Sequence, residues 1–424
     1  MTIQYIAALS IFIVTFFFII SGKINRTIAS FLGAMVMIIA GMHFGFYSQE
    51  DAFSAIDFNM IGLLIGMMIL VSICKKTGFF SYVAIKTAKA SGGSPTRLMI
   101  MMGCTAAILS MALDNVTTII LVIPITILIC DILDISPLPA ILAEIVLSNI
   151  GGVGTMVGDP PNMMIATASG FSFNDFLVHL FPIVAATIVL TIFMLVIMFR
   201  NELKNRPKDF KPILKIDENS AIKDKKALIK VSFSLLVVLV LFILQKRHGF
   251  HHAFVALIGA GVAMFLVRPN IEEVMKDIEW SILVFFGSLF VLIGGLEKSG
   301  LLEIVACNIV KLANVNFNLA KISLLWTSAL FASLVDRIPF TTAMVPIVKH
   351  VGNLGFNVDS LWWILALGVG FGGNGTPIGS FVGVVGLSMS EKTSAPIDFK
   401  LWLKTATVIM LVSIIFVSLL IFII

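Results

Sequence analysis

The chain has 424 residues, of which 58% are hydrophobic and 12% charged, and carries a formal net charge of +5. No soluble globular protein of this length has that balance, which makes this a polytopic membrane protein with the lipid bilayer as its main partner. The basic residues sit in short loops, as the positive-inside rule expects, so the positive charge is not a nucleic-acid signal.

A spanning helix needs roughly 20 apolar residues. Such runs are expected from about Ile6 to Ser21, Ile28 to Phe46 and Met60 to Cys74. MTIQYIAALS lacks the basic start of a cleaved signal peptide, and the first run is followed by Lys23 and Arg26, which places the N-terminus outside. The acidic loop Gln49–Asp57 is expected outside, and Lys23–Arg26 and Lys75–Lys89 inside. SYVAIKTAKASGG reads as an interfacial helix.

A long apolar stretch from Arg97 to Leu133 then holds Asp114, Asn115, Thr117 and Thr118 at its middle. Two apolar arms around a polar tip predict a re-entrant hairpin. Next comes EIVLSNIGGVGTMVGDPPN, from Glu144 to Asn162. Gly151, Gly152, Gly154 and Gly158 loosen a helix, and Pro160 and Pro161 break it. Asn149, Thr155, Asp159 and Asn162 offer oxygens there. A broken helix in hydrocarbon survives only where it is buried in protein or lines a cavity, the usual binding site of a secondary transporter. An apolar span from about Phe176 to Phe199 closes this part.

Arg200–Lys230 is the one long hydrophilic segment, mostly basic, and reads as a cytoplasmic linker. It separates residues 1–200, an N-terminal transmembrane repeat, from 231–424, a C-terminal one, with 201–230 between them. The halves match. Asp114-Asn115 recurs as Asp336-Arg337, Pro124 as Pro346, and Lys76-Thr77-Gly78 as Lys298-Ser299-Gly300, all 222 residues apart. Gly151-Gly152-Val153-Gly154-Thr155 recurs as Gly372-Gly373-Asn374-Gly375-Thr376, 221 apart. Repeats at this scale are a fold signature. With the hairpins counted as re-entrant, each half crosses about five times and the chain about ten, so the repeats are inverted. The expected fold is all-α: two inverted-topology repeats, each with a re-entrant helical hairpin and a broken transmembrane helix.

LDNVTTIILVIPITI and AEIVLSNIGGVGTMVGDPPNMMIA, with VDRIPFTTAMVP and FGGNGTPIGS in the second half, resemble the arsenite permease / NhaD-type sodium–proton antiporter family, and within it the P-protein branch. That family belongs to the wider ion transporter superfamily, with the citrate and dicarboxylate carriers. The resemblance implies hairpin tips and broken helices meeting at a substrate site, a homodimer, a cytoplasmic membrane location, and cargo ranging from sodium to arsenite, chloride or carboxylates. This chain departs from the family where relatives read DNIPF: it has Asp336-Arg337-Ile338-Pro339-Phe340. Ser380 matches Asp159, and Gly383 matches Asn162. The second half has therefore lost a carboxylate and an amide and gained a guanidinium.

An ionised side chain at mid-membrane costs about 2.5–3.5 kcal/mol, which marks Asp114, Asp159, Asp336 and Arg337 as functional candidates. Each has a plainer reading. Asp159 can cap the helix after Pro160 and Asp114 can cap the hairpin tip. Asp336 and Arg337 can be structural contacts, and as helix neighbours they do not face each other. Thr117, Thr118, Thr341 and Thr342 can bond back to helix carbonyls. Glu144 is either interfacial or a proton acceptor. Sodium needs several oxygens, which Asn115, Asn149, Thr155 and Asp159 can supply, with Gly151 and Gly152 freeing carbonyls; Asn162, Asn374 and Thr376 complete the candidate set. Arg337 can act as a tethered cation held by Asp336 or by carbonyls near Asn374, or contact an anionic substrate. Beyond bound Na+ no cofactor is expected: Cys74, Cys104, Cys130 and Cys307 are scattered, and no metal-ligand spacing occurs.

The expected function is secondary active transport of a small inorganic ion, by Na+/H+ antiport or arsenite/antimonite efflux, coupled to Na+ or H+. A sodium- or proton-coupled carboxylate or oxyanion carrier is the alternative, against which stands the lack of a clear Ser-Asn-Thr pair in each half. Against an intramembrane aspartyl protease stands the lack of both its motifs, Tyr-Asp and Gly-x-Gly-Asp. The chain is not expected to be an enzyme.

Overall fold

A computed structural model of the chain describes every residue except 1, 22, 205–212, 214–216, 305–306, 308–309, 311–314, 392, 394 and 422–424. Much of the linker 201–230 lies outside the described residues. The described residues contain helices and no strand.

The first half runs α1 (Thr2–Ser21), α2 (Arg26–Phe44), α3 (Gln49–Ser54), α4 (Phe58–Lys76), α5 (Phe79–Ala90), α6 (Pro95–Ala112), α7 (Asn115–Leu133), α8 (Leu138–Gly152), α9 (Pro160–Ser169), α10 (Phe173–His179) and α11 (Phe181–Met198). The second runs α12 (Lys225–His248), α13 (His252–Val267), α14 (Ile271–Asp277), α15 (Trp280–Lys298), α16 (Phe317–Leu334), α17 (Arg337–Asn353), α18 (Asp359–Gly372), α19 (Phe381–Ser390), α20 (Phe399–Lys404) and α21 (Ala406–Leu420). α12 starts at Lys225, so the end of the hydrophilic segment is already helical, capped by Asp224 accepting from Ala227 N–H.

The helix limits repeat as the sequence does. α4 and α15, α6 and α16, and α9 and α19 begin and end at matched positions. The Gly78 and Gly300 turns after α4 and α15 both take positive φ, 82° and 83°, a conformation that glycine enters without strain. Packing repeats too, and it interlocks the halves. α2 lies on α15 as α13 lies on α4; α9 lies on α17 as α19 lies on α7. Within each half the first arm of the hairpin packs on the first arm of the broken helix, α6 on α8 and α16 on α18. Lipid provides no hydrophobic drive between helices, so close approach of small residues does this work. A Cβ at Gly151 would sit 2.5 Å from the Ala107 carbonyl, and one at Gly372 2.6 Å from the Ala329 carbonyl, at matched places in the two halves.

Nine described helices are long and apolar enough to cross a membrane, α6, α7 and α16 among them. The parity of each half does not depend on the hairpin, because its two arms add an even number of crossings. α1, α2, α4, α8–α9 and α11 make the first half odd; α12, α13, α15, α18–α19 and α21 do the same for the second. The second half is therefore inverted relative to the first.

Candidate functional site

The first break spans residues 153–159, between α8 and α9. Its freed carbonyls are collected by the Asn162 amide, which donates to Val153 O at 3.0 Å, Thr155 O at 2.8 Å and Gly152 O at 3.4 Å. The Thr155 hydroxyl donates to Met111 O on the hairpin arm and accepts from Gly158 N–H at 3.1 Å. The second break, between α18 and α19, is stitched the same way: Thr376 donates to Ser333 O at 2.5 Å and accepts from Gly379 N–H at 3.2 Å. There Gly383 has no amide to offer. The Trp402 indole lies against it, and its N–H donates to Asn374 O at 3.1 Å, the carbonyl that matches Val153 O. A tryptophan from α20 thus replaces the missing asparagine.

The hairpin tips are capped by their aspartates. Asp114 accepts from Thr117 N–H at 2.9 Å and from its hydroxyl at 3.1 Å, and Thr118 donates to Asp114 O at 3.1 Å. Asp336 accepts from Ile338 N–H at 3.2 Å. Thr341 and Thr342 donate to the carbonyls of Arg337 and Ile338, at 2.8 and 2.9 Å. These four threonines spend their hydroxyl protons locally and keep oxygen lone pairs for other partners.

At the centre, Arg337 Nη1 lies 2.7 Å from Asp159 Oδ2, with both side chains buried. Arg337 is therefore not held by Asp336, as one sequence reading has it. Helix geometry turns the two neighbours apart, and Asp336 pairs instead with Arg26 at 2.7 Å. The guanidinium also lies against Gly373, in the second break. Asp159 sits at the N-cap position of α9 but makes no capping bond. The Arg337 pair is close but misaligned, so neither Asp159 oxygen receives a hydrogen bond. With its amide nitrogen donating to Gly158 O (3.0 Å) and Ser148 O (3.3 Å), Asn115 presents its oxygen to Arg337 Nη2 at 3.3 Å. A Cβ at Gly152 would sit 2.4 Å from the Asn115 side chain and push it from its place.

Beside this pair the halves clasp each other. Asn149 donates to Asn374 Oδ1 at 2.8 Å and to Ser380 Oγ at 3.0 Å, and Asn374 donates to Val146 O at 3.2 Å. The positions matching Asn149 and Asn374 are Gly370 and Val153, which also meet: a Cβ on Gly370 would fall 2.1 Å from Val153 Cγ2. One crossed contact is polar and its counterpart apolar. The residues that the sequence groups as a cation shell are divided. Asn115 and Asp159 meet at Arg337, Asn149 faces Asn374 and Ser380, and Thr155 is tied to Met111. Asn149 Oδ1 and both Asp159 carboxylate oxygens remain buried and without hydrogen-bond partners. Among the described residues no cluster of histidine, cysteine and carboxylate suits a multivalent metal.

Two cavities flank the site. One, about 930 Å³ including its mouth, is lined by Lys75, Asp114, Thr117, Pro160, Asp277 and Glu279. The other, about 640 Å³, is lined by Asp57, Met164, Gly294, Glu297, Thr342 and Lys349. They are built from matched positions: Ser72 and Gly294, Lys75 and Glu297, Glu279 and Asp57, Ile120 and Thr342. On the sidedness expected from the sequence, the Lys75 cavity would face the cytoplasm and the other the outside. The sequence reading uses Arg26 only as a loop charge and does not name Trp402, so neither is among its site residues. Arg26 has no motif around it, and the indole acts from a helix about 20 residues past the break.

A family model described as citrate transporter matches residues 16–368. The 46 kDa membrane protein of Mycobacterium leprae is 38% identical over 93% of this chain and 92% of its own length. The P protein of Homo sapiens is 28% identical over 92% of this chain and 56% of its own length. Among solved structures, the YdaH transporter of Alcanivorax borkumensis aligns with a TM-score of 0.61 and 14% identity, covering 90% of this chain and 88% of that one. At that identity the likeness is one of fold.

Proposed function

This chain belongs to the citrate transporter family, and from that premise we propose that it is a secondary active transporter carrying a small inorganic ion across the cytoplasmic membrane by alternating access, coupled to Na+ or H+. It is a multi-pass membrane transporter; the cargo is the proposal. The observation that carries it is the Asp159–Arg337 pair. A carboxylate balanced by a guanidinium from the other half, with its own oxygens unbonded, can exchange that partner for a proton or a small cation. Asp159 and the unpartnered Asn149 oxygen supply hard oxygens that suit Na+. The two matched cavities stop beside the site, one at Asp114 and Pro160 and the other at Met164 and Thr342, as the two ends of an alternating-access path would.

Sodium–proton exchange and arsenite or antimonite efflux are the forms this reading takes. In it residues 1–200 and 231–424 work as the two repeats, joined by 201–230, and the protein is a homodimer. A second reading, a sodium- or proton-coupled carboxylate or oxyanion carrier, draws on Arg337, a buried guanidinium whose Nη1 makes no hydrogen bond. Flux into proteoliposomes, with sodium, arsenite, antimonite and citrate offered under imposed pH and sodium gradients, separates the two. Uptake of citrate alone would overturn the first reading. Movement of every solute irrespective of the gradients would indicate a channel and sink both.

A further inference from the structure

Glu144 lies on α8, two turns before the break, and is fully buried. Its Oε1 accepts from the Thr126 hydroxyl, while Oε2 has no partner. The helices packed on α8 are α6, α7, α11, α18 and α19. α11 and α19 carry no titratable residue. Arg97 of α6 and Asp359 of α18 stand on exposed first turns, and Asp131 of α7 is exposed. Cys104 is half-buried on α6, and Cys130 lies one turn beyond Thr126. Among the described residues no cation is placed to balance a Glu144 carboxylate.

The repeat tells whether the fold needs this acid. The positions matching Thr126 and Glu144 are Val348 and Leu365, both buried. The second half therefore fills the same packing with two apolar side chains, and an uncompensated carboxyl costs stability. Around it runs a file of polar groups that the second half also lacks. Ser148, one turn from Glu144, bonds Ser110 at 2.6 Å, and the Ser148 carbonyl accepts from the Asn115 amide, whose oxygen meets Arg337. The matching positions are Val369 and Ala332. At the other end a narrow cleft, about 270 Å³ including the solvent at its mouth and lined by Cys130, Ala140 and Glu202, stops one turn short of Thr126 and Glu144.

We propose that Glu144 is a proton-binding site, separate from the Asp159–Arg337 pair, and that it takes up the coupling proton from the cytoplasmic side. The proton comes from water through the cavity beside Glu202, is bound on Oε2, and returns to water later in the cycle; no other bond changes. This rests on the transporter reading for its role in coupling, but not for proton binding itself.

The test therefore has two arms on full-length protein in lipid. Infrared spectra taken across a pH series read the C=O stretch of a buried protonated carboxyl. That band is expected to be lost in Glu144→Gln and shifted in Thr126→Val, which removes its hydrogen bond. A band unchanged in Glu144→Gln overturns the proposal. In proteoliposomes, accumulation of labelled sodium, arsenite or citrate under a pH gradient is expected to fall to equilibration in Glu144→Gln, with solute exchange at equal pH still measurable. Full pH-driven accumulation in that variant overturns the coupling role. If the parent protein moves none of these solutes the transport reading fails, and the infrared band still decides whether Glu144 holds a proton. A Glu144→Leu variant, copying the second half, folds if the site is dispensable to packing, and repeats both readouts.

Discussion

Asp159 and Arg337 approach to 2.7 Å from different halves, at positions that the repeat does not relate to each other. The match of Asp159 is Ser380, and the match of Arg337 is Asn115. The pair has no symmetric counterpart, so at this place the two halves hold one buried charged contact where the architecture allows two.

Arg337→Asn restores the residue of the first half. Truncating one member of a buried ion pair costs about 3–5 kcal/mol, so Arg337→Ala should lower thermal stability in detergent by that order. Arg337→Asn should regain stability as sodium is added, and its transport should depend more steeply on sodium than the parent's. Equal sodium dependence in the two proteins would reduce Arg337 to a structural contact.

Asp159→Asn should abolish gradient-driven flux and its pH dependence while the protein still inserts in the membrane. Asp114→Asn is the comparison, because its carboxylate caps α7 and lines the cavity beside Lys75. Coupled transport surviving in Asp159→Asn would place the titrating site elsewhere.

Trp402→Phe keeps the ring over Gly383 but removes the N–H that satisfies Asn374 O. Leaving a buried carbonyl unpaired costs about 1–3 kcal/mol. The loss should appear as a lower melting temperature, and the double change Trp402→Phe with Gly383→Asn should not recover it, since a Cβ at Gly383 would lie 2.6 Å from Pro377 O. Full recovery would mean that the second break can be rebuilt like the first.

The Arg26–Asp336 bridge predicts its own mirror image. The matching positions are His248 and Asp114. Cysteines at 26 and 336, in a background lacking the native four, should crosslink in the state described above. Cysteines at 114 and 248 should crosslink only in the opposite-facing state, and solute gradients should shift the balance between the pairs. A 114–248 pair that never forms would break the link between the repeat and the conformational cycle.

Asp51 is held at about 2, below its usual 3.8, chiefly by hydrogen bonding to Lys298 and Ser48. A carboxyl lowered on folding stabilises the fold above its usual value, and that contribution is lost as pH falls through the lowered one. The melting-temperature gap between the parent and Asp51→Asn should be constant from pH 7 to about pH 5 and close between about pH 5 and about pH 1. A gap undiminished at about pH 1, below both values, would mean that the Lys298 contact is not what Asp51 contributes.

The sequence carries the helices, the two breaks and the repeat because apolar runs, glycines and prolines act locally. GDPPN announces a break wherever it falls in an apolar run. Partners were harder to read. Asp336 and Arg337 are adjacent in sequence yet turn to Arg26 and Asp159, hundreds of residues away or across the seam, and only the packing of helices decides that. Thr155 and Thr376 look like ligands in sequence, and their protons are taken by hairpin carbonyls. Trp402 was invisible because replacing an amide by an indole from another helix leaves no spacing to detect.

Lys76 pairs with Glu273 at 2.9 Å and Lys298 with Asp51 at 2.7 Å, and the repeat carries one pair onto the other. These clasps stand at the far ends of α4 and α15, each of 19 residues and so about 28 Å long. Each clasp ties a long helix of one half to a short helix of the other. Exposed ion pairs contribute little stability each, so the clasps bias the tilt of the paired helices in a thinner or thicker bilayer without locking it. Turnover should then be tuned by acyl-chain length, with a best thickness set by the span between the two clasps.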